Sequence, residues 1–242
     1  MNLAEMLKSS GAIALVYGES GSGKTHFSST FSGNIKIIAA ESNGIKTLAK
    51  LEKSVHDRID VELLPQFQER KKENQFEVFK FFDKFIETKP TYKTLVLDSI
   101  TELGNYLMFH EVDIAKGEIP KITDYQKIYR KCQSIVRTLR DIAVKWGINV
   151  VILATEQEII LGEKAKLHPL IAGKSSARDC EAVVDIVAHL EKGNGGRFLR
   201  LESNDEVTAK DRYGRKYCKA EGDILFSKIT GYEQAQAEVK NG

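Results

Sequence analysis

Eight consecutive residues, Gly18-Glu19-Ser20-Gly21-Ser22-Gly23-Lys24-Thr25, fit the pattern G-x-x-x-x-G-K-[ST]. The chemistry served by this pattern is the grip of a triphosphate. Glycines let the backbone wrap closely around phosphate oxygens, with successive N–H groups pointing inward. Lys24 would reach the β- and γ-phosphates, and the Thr25 hydroxyl would help to hold Mg²⁺. His26 follows directly and is counted with the nucleotide-binding residues. The expected ligands are ATP and Mg²⁺.

Two carboxylates extend this reading. Asp98 ends the apolar run TLVLD (94–98) and is the natural second metal anchor, directly or through water. Glu41 follows the apolar run NIKIIAA (34–40). A carboxylate at the C-terminal edge of a strand faces the ligand crevice of an open α/β sheet. There Glu41 could orient and deprotonate a water attacking the γ-phosphate. The competing reading makes Glu41 a cap for a helix beginning near Asn43. No His/Cys cluster has metal-ligand spacing, and His168 reads as a loop residue.

The elements that must position these groups follow from hydrophobic periodicity. AIALVY (12–17) reads as a buried strand and the segment from Lys24 to about Thr30 as a helix. NIKIIAA is the second strand, followed by a helix near 44–53 and a short strand DVELL (60–64). Phe76, Phe79, Phe82, Phe85 and Ile86 recur at helical spacing over 74–88. TLVLD is the third strand, with a helix near 100–113 behind it, a loop carrying Gly117 and Pro120, and a long helix over about 124–146. That helix places Ile128, Ile135, Leu139, Ile142 and Trp146 on one face. INVVILAT (148–155) is a fourth strand, followed by a polar loop to about 173 and a helix near 175–183. VDIVAHLE (184–191), a GNGG turn and RFLRLE (197–202) read as a hairpin. A strand ILFSKI (224–229) and a polar tail close the pattern. Strands alternating with helices and then hairpins predict a mostly parallel sheet flanked by helices, with a C-terminal antiparallel extension. Residues 1–230 are expected to form one α/β domain and 231–242 a polar tail.

With 242 residues, 42% hydrophobic and 29% charged, the chain can bury one large core beneath a polar surface. The 36 basic and 34 acidic side chains nearly cancel, so any polyanion must be met by a local patch. The three cysteines form no CxxC pair or disulfide framework, and no apolar run approaches a membrane span. These features predict a cytoplasmic location and no membrane partner.

The segments IIAAESNG and TLVLDSITEL together resemble the RecA/RadA recombinase superfamily. The first resembles its strand-plus-glutamate element and the second its metal-binding strand. VVILATEQ is similar in place to its polar sensor strand, and TAKDRYG (208–214) to its late Lys-x-Arg element. Over roughly 11–230 the arrangement most resembles phage-encoded, single-domain RecA-like ATPases of the single-strand annealing type. The resemblance implies a RecA-like P-loop NTPase fold with Glu41 as catalytic carboxylate. It implies that Glu156 or Gln157 senses the γ-phosphate, and that Lys210 and Arg212 complete the active site of an adjacent protomer. Rings or filaments of this chain, single-stranded DNA and a single-strand-binding protein are the partners it implies, in the host cytoplasm if the protein is phage-encoded.

Two regions could supply a basic DNA surface. One is the polar face of the long helix, with Lys127, Arg130, Lys131, Arg137, Arg140 and Lys145. The other is the loop 158–178, with Lys164, Lys166, His168, Lys174 and Arg178, which contains no aromatic residue for base stacking. The leading expectation is an ATP-hydrolysing recombinase that binds single-stranded DNA and promotes annealing or strand exchange. The alternatives are a helicase or helicase-loading motor, and a nucleotide-gated interaction protein with little turnover.

Overall fold

A computed structural model describes residues 11–65, 73–112, 117–161, 164–172, 176–193 and 195–227. The first strand, β1 (Ile13–Gly18), is buried along its whole length and lies in the middle of the sheet. The strands that follow are β2 (Ile35–Ala39), β3 (Ile59–Leu63), β4 (Thr94–Asp98) and β5 (Asn149–Leu161). Next come β6 (Lys164–Pro169), β7 (Ile186–Gly193), β8 (Gly196–Arg200), β9 (Lys210–Asp211) and β10 (Tyr217–Lys219). Their order is β10-β8-β7-β1-β5-β4-β2-β3, with β6 paired to β5 and β9 to β7. All neighbours from β3 to β7 run parallel, whereas β6, β8, β9 and β10 pair antiparallel. The expected parallel sheet with an antiparallel extension is therefore present.

Continuous apolar runs form β1, β2 and β4 because both faces of the sheet are covered. One face packs on α4 (Asn74–Glu87), α5 (Ile100–Glu111), α6 (Ile122–Trp146) and α7 (Ser176–Val183). The other face carries α1 (Lys24–Ser28), a 3-10 turn (Lys46–Lys50) and α8 (Gly222–Leu225). Two short helices, α2 (Ser42–Ile45) and α3 (Lys53–His56), flank that turn, so the helix expected near 44–53 is broken into three pieces. Ile128, Ile135, Leu139 and Ile142 of α6 are buried as their spacing predicts, and Gly147 ends the helix in the left-handed region at φ 64°.

Three expectations are corrected. The polar loop after the fourth strand is instead a β-hairpin: β5 continues past Thr155 and pairs Glu156–Leu161 against Lys164–Pro169. The backbone groups of Glu156, Gln157 and Glu158 thus find partners despite polar side chains that obscure the pattern. The strand expected at 224–229 is the helix α8 up to Leu225; residues 228–229 lie outside the described residues, as does the tail 231–242. In α4 the stripe is rotated. Phe76 is 67% exposed, while Gln75 is buried and donates to the Leu107 carbonyl and to Glu111.

Candidate functional site

The turn leaving β1 needs left-handed backbone at Gly21 (φ 76°) and Gly23 (φ 102°), a region that side chains other than glycine rarely adopt. Gly23 has a second constraint. A Cβ there would lie 2.4 Å from Nε of Arg197, so a side chain at this position would push that guanidinium off the loop. Lys24 then starts α1, and its ammonium donates to the carbonyls of Gly18 and Glu19 at 2.9 Å each. Burial lowers the Lys24 pKa, against the opposing pull of Asp98, Glu156 and Glu19. An anion in the loop would favour the charged ammonium.

Sheet register brings the carboxylates to the same edge. Gly18 stands opposite Thr155, Leu153 opposite Asp98, and Asp98 opposite Ala39. The Thr25 hydroxyl donates to Asp98 Oδ2 at 2.7 Å. Burial pushes the Asp98 carboxyl upward, with the Thr25 hydrogen bond and Lys24 pulling the other way. Ala40 donates its N–H to the Asp98 carbonyl at 2.8 Å, which sets Glu41 directly beyond the Asp98 strand. A Cβ on Gly44 would lie 3.7 Å from Glu41 Oε1 and 3.9 Å from Thr25 Oγ1. The proposed base and the proposed metal hydroxyl therefore border one small space. Glu41 is also the residue preceding α2, but its side chain makes no capping hydrogen bond.

After Asp98 come Ser99, whose hydroxyl caps α5 by accepting from Glu102 N–H at 3.2 Å, and Ile100. No second carboxylate follows Asp98 directly. The Asp98–Ser99 peptide bond is cis.

The pair expected to sense phosphate divides in two. Glu156 lies on the phosphate-loop side, where its charge acts on Lys24, and it contacts His189 Nε2 at 2.9 Å. Gln157 donates to the Pro169 carbonyl at 3.0 Å and faces a cavity of about 820 Å³. Thr101 lines the same cavity, accepts from Thr155 N–H at 3.0 Å, and so ties the cavity wall to the strand beside Gly18. Tyr125 and Tyr129 of α6 complete that wall. Sequence spacing did not point to them, because they reach the cavity from a helix remote in the chain.

Lys210 and Arg212 stand elsewhere. Lys210 pairs with Val187 near the start of β7 and donates to the Glu181 carbonyl at 2.7 Å, whereas the phosphate loop leaves the other end of β1. Arg212 Nε lies 3.2 Å from Asp185 Oδ1. The fold does not bring either cation to the phosphate loop of its own chain. Between and after them, Asp211 and Arg215 form a buried ion pair at 2.8 Å.

Of the six cations expected to form a basic face on α6, four are engaged within the chain. Lys127 and Lys131 bind Glu111, Arg140 binds Asp141, and Lys145 donates to the Ile86 carbonyl. His168 is buried against Glu181 at 3.0 Å and is no loop residue. Lys174 and the side chain of Lys164 lie outside the described residues.

The residues present fit a nucleotide with its metal. Ser22 Oγ, in the loop, is buried without a hydrogen-bond partner among the described residues. Thr25 and Asp98 could supply two oxygen ligands of the hard type that Mg²⁺ takes together with substrate phosphates. Among the described residues no group of three or more His, Cys, Asp or Glu could hold a metal without such help. No helix among them is long and apolar enough to cross a membrane.

A strand–glycine loop–helix unit with Lys24, Thr25 and Asp98 at one sheet edge defines a P-loop nucleotide-binding protein. A family model described as an AAA domain matches residues 10–213, and the chain belongs to that family of P-loop ATPases. No curated protein matches the sequence significantly.

Proposed function

We propose that this protein is a RecA-like ATPase that binds single-stranded DNA and promotes annealing or strand exchange, hydrolysing ATP with Mg²⁺. The observation that carries the reading is the place of Glu41. It follows β2, the strand neighbouring Asp98, and its carboxylate borders the same space as the Thr25 hydroxyl. Glu41 orients a water for in-line attack on the γ-phosphate and accepts its proton. Lys24 neutralises charge on the β- and γ-oxygens, and Glu156 or Gln157 reports the γ-phosphate to the rest of β5. Mg²⁺, held by Thr25 and Asp98, supplies the charge neutralisation of the phosphates when bound. Lys210 and Arg212 serve the site of a neighbouring protomer in a ring or filament, since neither reaches its own.

What supports the DNA part is the cavity on the other side of β5. Tyr125 and Tyr129 are sequence-tolerant stacking surfaces for bases, and Gln157 and Thr101 connect their cavity to the strand beside the phosphate loop. A single-strand-binding protein that presents the DNA is a proposed partner.

The deciding measurement is ATP hydrolysis with and without single-stranded DNA, alongside annealing of complementary oligonucleotides. The expected result is DNA-stimulated hydrolysis and ATP-dependent annealing, both lost in Lys24→Ala. Directional unwinding of a forked duplex would instead identify a helicase or loader. Normal ATP binding without DNA-stimulated hydrolysis would identify a nucleotide-gated interaction protein.

A further inference from the structure

The terminal phosphate has a fixed address in this sheet. Thr25 and Asp98 meet on the side of β1 that faces β5 and β4. β7 and β8 occupy the opposite side. A triphosphate lying in the loop with its γ-phosphate toward Asp98 would leave its α-phosphate and nucleoside on the β8 side. A cavity of about 300 Å³ opens there, lined by His26 and Thr30 of the phosphate-loop region, Arg197 and Phe198 of β8, and Ala220 and Glu221 before α8. That volume is at the small end of ligand pockets, about 300–1,000 Å³, and suits a nucleoside better than a whole nucleotide.

Arg197 stands between this cavity and the phosphates. Its Nε donates to the Ser22 carbonyl at 2.7 Å, and its Cζ and Nη2 lie 2.9 and 3.1 Å from where a Cβ on Gly23 would be. The guanidinium thus lies against the loop backbone. One nitrogen is used by a carbonyl, and the two Nη groups form the fork that matches phosphate oxygens. The preceding Gly195 (φ 100°) and Gly196 (φ 144°) give the chain the turn that delivers the arginine there.

We propose that this cavity receives the nucleoside of ATP and that Arg197 binds the α-phosphate at its mouth. The inference rests on the phosphate-loop reading above. It makes a side chain of the antiparallel extension a nucleotide ligand in its own chain, distinct from Lys210 and Arg212, which lie at the far end of β7.

Titration calorimetry with two ligands tests it: ATP and inorganic tripolyphosphate, each with Mg²⁺. Ala220→Trp fills the cavity and is expected to weaken ATP about tenfold or more while leaving tripolyphosphate within about twofold. Lys219→Trp, at an exposed position lining the same cavity, is the second variant should Ala220→Trp fail to fold. Arg197→Ala is expected to weaken both ligands while the protein stays folded in a thermal melt. Unchanged ATP affinity in a folded cavity-filling variant, or equal losses for both ligands, would overturn the nucleoside assignment. Undiminished binding of both ligands by Arg197→Ala would overturn the role of the arginine. Lys24→Ala should lose both ligands; ATP binding retained there would overturn the phosphate-loop reading itself.

Discussion

The residues given roles above separate by charge between the two flanks of β1. Toward β5, β4 and β2 stand carboxylates: Asp98 against Thr25, Glu41 beside them and Glu156 near Lys24. Toward β7, β8 and β9 stand guanidinium and ammonium groups: Arg197 on the loop, and Lys210 and Arg212 at the distant end of the strands. On the proposed reading, the acidic flank holds the metal and activates water. The basic flank is split, with Arg197 turned inward and the other two turned away. On the proposed reading, the first half serves its own chain, and Lys210 and Arg212 serve a neighbour's.

The sharpest way to break the comparison is to mix protomers. If Lys210 and Arg212 act across an interface, Lys210→Ala/Arg212→Ala should lower turnover by about 10³-fold or more while ATP binding persists. Mixing that variant with Glu41→Gln should restore part of the activity, because each supplies what the other lacks. No recovery in steady-state hydrolysis of the mixture would return both cations to a structural role. On the acidic flank, Glu41→Gln alone should lower turnover by about 10²–10⁴-fold with ATP affinity retained. Single-turnover hydrolysis beside equilibrium nucleotide binding separates the two effects, and undiminished turnover would remove Glu41 from the mechanism.

The same flanks differ in how they are held. On the basic side, Asp211 and Arg215 are buried together, and Arg215 also donates to the carbonyls of Ile224 and Leu225, tying α8 to β9. Removing one partner of a buried pair strands the other charge at about 3–5 kcal/mol. Arg215→Met should therefore lower the melting temperature by roughly 10 °C at this chain length. Asp211→Asn/Arg215→Met should recover much of the loss in a thermal melt.

The acidic flank was far more legible in the sequence than the basic one. Gly18–Thr25, TLVLD and NIKIIAA carry their roles locally: a glycine spacing, or an apolar run ended by an acid. Parallel strands buried on both faces also announce themselves as unbroken apolar runs. Arg197 offers no such signal, because its role arises from β8 crossing beside the loop after a glycine turn. The hairpin of β5 and β6 was hidden for a related reason. Glu156, Gln157 and Glu158 are polar, and only the pairing with β6 makes them strand. In 224–229 the apolar run ILFSKI was misleading, since Leu225 is buried by the side chains around α8 and not by strand pairing. Tyr125 and Tyr129 were invisible as cavity residues because α6 brings them to Gln157 only in three dimensions.

The smallest expected effect tests the scaffold behind the acidic flank. α5 starts immediately after Asp98, and at its other end Glu111 is buried among Gln75, Lys127 and Lys131. Burial by itself would raise the Glu111 carboxyl, but hydrogen bonds from Lys127 and Lys131 hold it down to about 2. A depressed carboxyl contributes stability that is fully present above its ordinary value of 4.5 and is lost as pH falls toward about 2. Lys127 is half exposed, so solvent screens part of the gain. Glu111→Gln should then cost about 2 kcal/mol at neutral pH, roughly 5 °C in melting temperature. The deficit should shrink as pH falls below the ordinary carboxylate range. Denaturant unfolding of both proteins across that range reads the difference directly. A deficit that stays constant with pH would mean that Glu111 holds α5 by shape and hydrogen bonding alone, and that its charge does not help to seat the helix behind Asp98.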